Sequence, residues 1–238
     1  MIAMYYGTIT QIDDNVGRIV EGLRRKGIAE ETVILINSDH GDFLGHHRFI
    51  TKAPFVPYED LIRVPFIVYD PRNPANGRVS DAFVSLLDLF PTIAAMSGVS
   101  HTHTVHGHDL TPLLRAEAES VTDVAFAENH RGVIAVRQGP WKLLQSEKGA
   151  CELYNLDDDL GERCNRFPEM RDSKIVTGLR DAALRSLMGY RWDRLYRDMG
   201  ERRRLILEEG RKRGLPMLNV APGDWRGVWS EDAPRYVG

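Results

Sequence analysis

A run of four apolar residues, Val33-Ile34-Leu35-Ile36, stops abruptly at Asn37-Ser38-Asp39-His40-Gly41. An aliphatic, mostly β-branched run of this length reads as a strand buried on both faces of a parallel sheet. The polar residues then fall at its carboxyl end, outside which ligands gather in open α/β sheets. A carboxylate and an imidazole placed there can share a metal ion, so Asp39 and His40 are the candidate metal ligands. Lys52 follows after a Gly45-His46-His47 turn and brings a cation to the same stretch.

The flanking sequence supports an α/β reading. Met4, Ile9, Ile12, Val16, Ile19, Val20 and Leu23 recur at helical spacing, and Gly27 ends the pattern. Asp13 and Asp14 sit within it, but neighbouring helical residues point about 100° apart, so the pair reads as solvated surface. A second apolar run, Phe66-Ile67-Val68-Tyr69, closes on Asp70-Pro71 as a strand closes on a turn. A third, near 81–85, leads into a helix with Asp88 as N-cap, Pro91 in its first turn and Gly98 at its end. A doubly wound sheet usually has about five strands or more, so these runs predict a partial sheet with an open edge, and hence a homo-oligomer.

From Val121 the texture changes to short strands separated by Gly139-Pro140 and Lys148-Gly149, the pattern of an antiparallel meander. The boundary is placed between 1–117, an α/β part, and 118–238, a subdomain of small antiparallel sheet, charged helix and irregular tail. Asp157-Asp158-Asp159 lacks the ligand spacing of a calcium loop and reads as a turn. His101, His103, His106 and His108 crowd one stretch; alternate residues of an extended segment could chelate a metal, but a polar surface loop is the plainer reading.

Composition excludes several classes. A net charge of −3 gives nucleic acid and anionic membranes no electrostatic foothold. The basic clusters Arg202-Arg203-Arg204 and Arg211-Lys212-Arg213 are broken up by Glu201, Glu208 and Glu209. Two cysteines make no disulfide framework. No apolar run reaches the roughly 18 residues of a membrane span, and the chain as given reads as cytoplasmic.

The string S-D-H-G-D-F-L-G-H-H-R-F-I-T-K and the following Y-E-D-L-I-R-V-P resemble the signature block of the sulfatase family, in the alkaline phosphatase superfamily. S-L-L-D-L-F-P-T-I-A-A-M-S-G-V, G-H-D-L-T-P-L-L, W-K-L-L and E-L-Y-N-L-D-D-D-L-G-E-R-C-N resemble its later elements. The resemblance implies an alkaline-phosphatase-like fold and metal-dependent hydrolysis of a small anionic sulfate monoester. A phosphonate or phosphate mono- or diester hydrolase of the same superfamily, and a catalytically inactive binding module, are the alternatives.

By the same resemblance Asp39 and His40 match two metal ligands, and Lys52 matches the lysine that contacts the anionic group and the leaving oxygen. His46 or His47 matches a histidine near the pocket, and Arg63 orders the loop through Glu59 or Asp60. Many relatives have asparagine at the position of His40 and bind calcium; an imidazole makes manganese, zinc or iron as credible. The family's nucleophile, a formylglycine made in C/S-x-P-x-R, has no counterpart at Cys151-Glu152-Leu153 or Cys164-Asn165-Arg166. It is expected, with the paired aspartates of the metal site, in an earlier half outside this sequence.

Overall fold

The computed structural model describes residues 2–100 and 105–189. Its first element is the helix α1, Ile2–Arg25. Gly27, at φ 69°, takes the left-handed conformation that closes it. The Gly27 amide donates to Arg24 O and the Ile28 amide to Leu23 O, which satisfies two carbonyls that the helix end would otherwise leave unpaired. Beside the signature loop, partial burial and then the Asp42 carboxylate raise the Tyr5 hydroxyl above the ordinary phenol pKa. The aliphatic stripe read from the sequence is present but uncovered: Ile12 and Ile19 are both more than 60% exposed.

The strand read at 33–36 forms as β1, Ile34–Asn37, and its partner is β2, Phe66–Tyr69. They pair antiparallel, Ile34 opposite Tyr69 and Asn37 opposite Phe66. This corrects the expected parallel pairing, and the cause lies in the connection. A parallel crossover usually carries a helix packed on the sheet, whereas the connection between these strands holds only a 3-10 turn over His46–Arg48 and the single turn α2, Glu59–Ile62. β1 is also only partly buried rather than enclosed on both faces.

Residues 81–85 form no strand. Ser85 instead caps a 3-10 turn over Leu86–Asp88, which runs into α3, Leu89–Met96. Asp88 does not cap α3 with its side chain. Its carboxylate, almost fully buried, accepts from the Ser85 amide and from the His108 amide, both at 2.7 Å. Thr92 Oγ1 accepts from the Leu110 amide at 3.0 Å, so α3 and the segment entering α4, Thr111–Leu114, are stitched together by two buried side chains.

The meander is as expected. β3, Val124–Glu128; β4, Val133–Gln138; β5, Trp141–Ser146; and β6, Cys151–Asn155 pair antiparallel in sequence order. One face packs Ala135, Leu144 and Tyr154 against Phe43, Tyr58 and Leu61 of the signature region. The other packs Val136, Leu143 and Leu153 against Val176, Leu179, Ala182 and Ala183 of α6, residues 174–189, which follows the short α5, Phe167–Met170. Alternate residues of a strand face opposite ways, so the sheet joins the signature region to the helical layer. The basic clusters and the tail beyond residue 189, like His101 and His103, lie outside the described residues. Among the described residues no helix is long and apolar enough to cross a membrane.

Candidate active site

The signature loop is shaped by one glycine. A Cβ on Gly41 would lie 2.1 Å from the backbone oxygen of Asp60, and the Gly41 amide donates to Leu61 O at 2.8 Å. The Asp39-His40 arm therefore lies directly on α2. Nothing in the periodicity of the sequence predicts that contact.

His40 is held in a defined tautomer. Its Nδ1 lies 2.9 Å from Gly41 O, a carbonyl that can only accept, so Nδ1 carries the proton and Nε2 presents its lone pair. Lys52 Nζ approaches that lone pair at 3.2 Å, and Asp39 Oδ2 lies 3.5 Å from the same nitrogen. The three residues read from the sequence as the site are thus brought together across a thirteen-residue loop. Asp39 is 84% exposed at its side chain, and its Oδ1 accepts from the His40 amide at 3.0 Å.

His46 and His47 are placed elsewhere. His46 Nδ1 pairs with Asp60 Oδ1 at 2.9 Å, and His47 stacks on the Tyr58 ring, centroids 3.9 Å apart and planes within 2°. Burial lowers the His47 pKa, against the pull of the Asp60 carboxylate. The two histidines brace the loop that ends at Lys52, and none of His46, His47 and Lys52 lines the adjoining cavity. Arg63 does not find the expected partners: Asp60 takes the histidines, and Glu59 turns inward to Lys142 and Arg137.

A cavity of about 960 Å³ opens beside Asp39 and His40 and extends past Phe55, Phe66, Phe83 and Arg137. It has room for an ester and a sizeable alcohol. The metal hypothesis can be tested against the donors. A carboxylate oxygen and an Nε2 oriented through an Nδ1–H to carbonyl contact are suitable neighbours in one ion's shell. They are two where a firmly held ion uses four or more. Among the described residues no group of three or more His, Cys, Asp or Glu comes together to hold a metal. The pair fits part of a shell.

The sulfatase family, described as Sulfatase, matches residues 1–99. This match supports membership of the sulfatase family. It is 31% identical over 195 residues to an arylsulfatase of Clostridium perfringens, covering 79% of this chain and 40% of that protein. It is 31% identical over 200 residues to arylsulfatase K of Danio rerio, covering 79% and 37%. Among solved structures it resembles the phosphonate monoester hydrolase of Agrobacterium radiobacter, with a TM-score of 0.70 and 26% identity, covering 79% of this chain and 41% of that one. The fold is accordingly the alkaline-phosphatase-like one of sulfatases. The chain spans about 40% of the length of the curated relatives it matches. Sequence reasoning took Glu59 and Asp60 for loop partners of Arg63 and missed Gly41 and Lys142 as builders of the site; the signal for Gly41 was its position inside the signature block.

Proposed function

We propose that this chain carries the cation-binding and leaving-group side of a sulfate monoester hydrolase. The observation that carries the reading is the convergence of Asp39, His40 and Lys52 within 3.5 Å of one imidazole nitrogen. A sulfate monoester repels nucleophiles, and the negative charge that develops on its leaving oxygen needs a cationic or proton-donating partner. The Lys52 ammonium serves that oxygen. Asp39 and His40 would hold a divalent ion, calcium, manganese or zinc, whose Lewis acidity polarises the ester oxygens. His46 and His47 act through the loop they brace, and the cavity receives the alcohol part.

The nucleophile is not among these residues. Cys151 lies in β6 and Cys164 is exposed, neither in a formylglycine sequence. They do not fit that group. The chain alone is therefore expected to hydrolyse nothing measurable, and formylglycine and the further metal ligands are assigned to a segment joined to, or paired with, this one.

A phosphonate monoester hydrolase is the second reading, favoured by the likeness to the Agrobacterium enzyme at a TM-score of 0.70. Turnover of an aryl sulfate and an aryl phosphonate by the complete enzyme separates the two. Faster sulfate hydrolysis supports the proposal, and faster phosphonate hydrolysis supports the second reading. No turnover of either points to a binding module.

A further inference from the structure

Three carbonyl, amide and carboxylate contacts place α2 at the junction of both arms of the site. Leu61 O holds the Gly41 amide of the Asp39-His40 arm, and Asp60 holds His46 and stands 3.9 Å from His47 on the arm that leads to Lys52. The turn itself is fastened from below by charge. Lys142 Nζ, from the second residue of β5 and almost fully buried, lies 2.9 Å from Glu59 Oε1 and 2.8 Å from Glu162 Oε1. This second contact is an ion pair between two almost fully buried groups. Glu162 Oε2 also accepts from the Glu59 amide at 2.5 Å, and Arg137 Nη1 lies 3.5 Å from Glu59 Oε2. A buried ammonium with two carboxylates leaves each group badly placed if one is removed, so the position of α2 is over-determined.

We propose that Lys142, through Glu59, is a positioning residue for the site: it fixes the height and rotation of α2 and thereby the Asp39-His40 arm and the lysine loop. The claim rests on the placement of the site at Asp39, His40 and Lys52 argued above. It gives the C-terminal sheet a part in the reaction that no direct contact with substrate would reveal. Removing the ammonium frees the two carboxylates to repel each other and lets α2 rotate, which loosens the Gly41 amide from Leu61 O.

The test reads that amide rather than turnover, so failure of the ester-hydrolysis reading and failure of this one are distinguishable. Hydrogen exchange at Gly41 is followed in the chain and in Lys142→Met. A matched control, Val176→Ala, destabilises the opposite face of the sheet, where Val176 is fully buried in the other core cluster. Gly41 exchange is expected to quicken at least about tenfold in Lys142→Met and to stay within about twofold in Val176→Ala, because the control opens only the opposite layer. Lys142→Arg, which keeps the charge, is expected to restore most of the protection. Should Lys142→Met not fold, Glu59→Gln is read in the same way. Unchanged Gly41 exchange, equal quickening in Val176→Ala, or failure of both network variants to fold would each overturn the positioning role.

Discussion

Gly41 shows how a single residue can be required for steric rather than chemical reasons. Any side chain there meets the Asp60 carbonyl at 2.1 Å, and backbone cannot yield as a flexible side chain can. Gly41→Ala is expected to lower stability by about 1–3 kcal/mol, the usual cost of overpacking, read as a fall in the thermal midpoint. His47 makes a different prediction, in pH. Its folded pKa lies below the ordinary histidine value of 6.5, chiefly through burial, so the unfolded chain binds its proton more readily. Stability from this residue is complete above 6.5 and is lost as pH falls through the window down to the lowered folded pKa. Glu162 runs the other way, since burial raises its pKa and makes the charged form the costly one as pH rises. The His47 share is therefore isolated as the difference between the chain and His47→Phe in melts at pH 7 and pH 5: the variant, which keeps a ring to stack on Tyr58, should lose less on acidification. Equal losses would remove His47 from the account.

At the level of elements, what the sequence disclosed was whatever leaves a local trace. Gly27 and Gly98 ended two helices where the apolar period stopped, and both have positive φ. Gly139 and Gly149 marked the hairpins of the meander for the same reason. Pairing direction leaves no such trace: Ile34-Leu35-Ile36 reads identically beside a parallel or an antiparallel neighbour, and only the brevity of α2 decides. The extended look of 81–85 was likewise overruled by a capping box, Ser85 with Asp88, that propensity does not weigh. Asp39, His40 and Lys52 were readable as a group because one continuous motif carries them. Glu59 and Lys142 were not, because their contact joins residues 83 apart. Asp88 provides the test at this scale. Its carboxylate serves two amides 2.7 Å away in separate segments, and Asp88→Ala leaves both part-buried donors without that acceptor. A loss of roughly 2–4 kcal/mol is expected from denaturant titration; a loss under about 1 kcal/mol would mean that water replaces the carboxylate.

On the scale of the whole molecule, the described residues combine a well-packed C-terminal sheet with an α1 stripe and a two-stranded sheet that stay largely uncovered. Ile67 and Tyr69 of β2 are exposed by 54% and 43%, and an apolar surface of this kind favours association. Light scattering on the purified chain should show self-association that rises with concentration, and Ile12→Glu with Ile19→Glu should reduce it; a clean monomer at high concentration would contradict this. Asp39, His40 and Lys52 are expected to act as one catalytic unit with divided labour, which steady-state kinetics on an aryl sulfate with the complete enzyme tests. Lys52→Ala should lower kcat by about 10²-fold or more with a smaller change in KM, the scale of losing one donor to a developing oxyanion, and added metal should not restore it. Asp39→Ala should regain part of its activity in excess divalent ion, because what it loses is affinity for that ion. Near-normal kcat in Lys52→Ala, or its recovery with metal to the same degree as Asp39→Ala, would contradict the account.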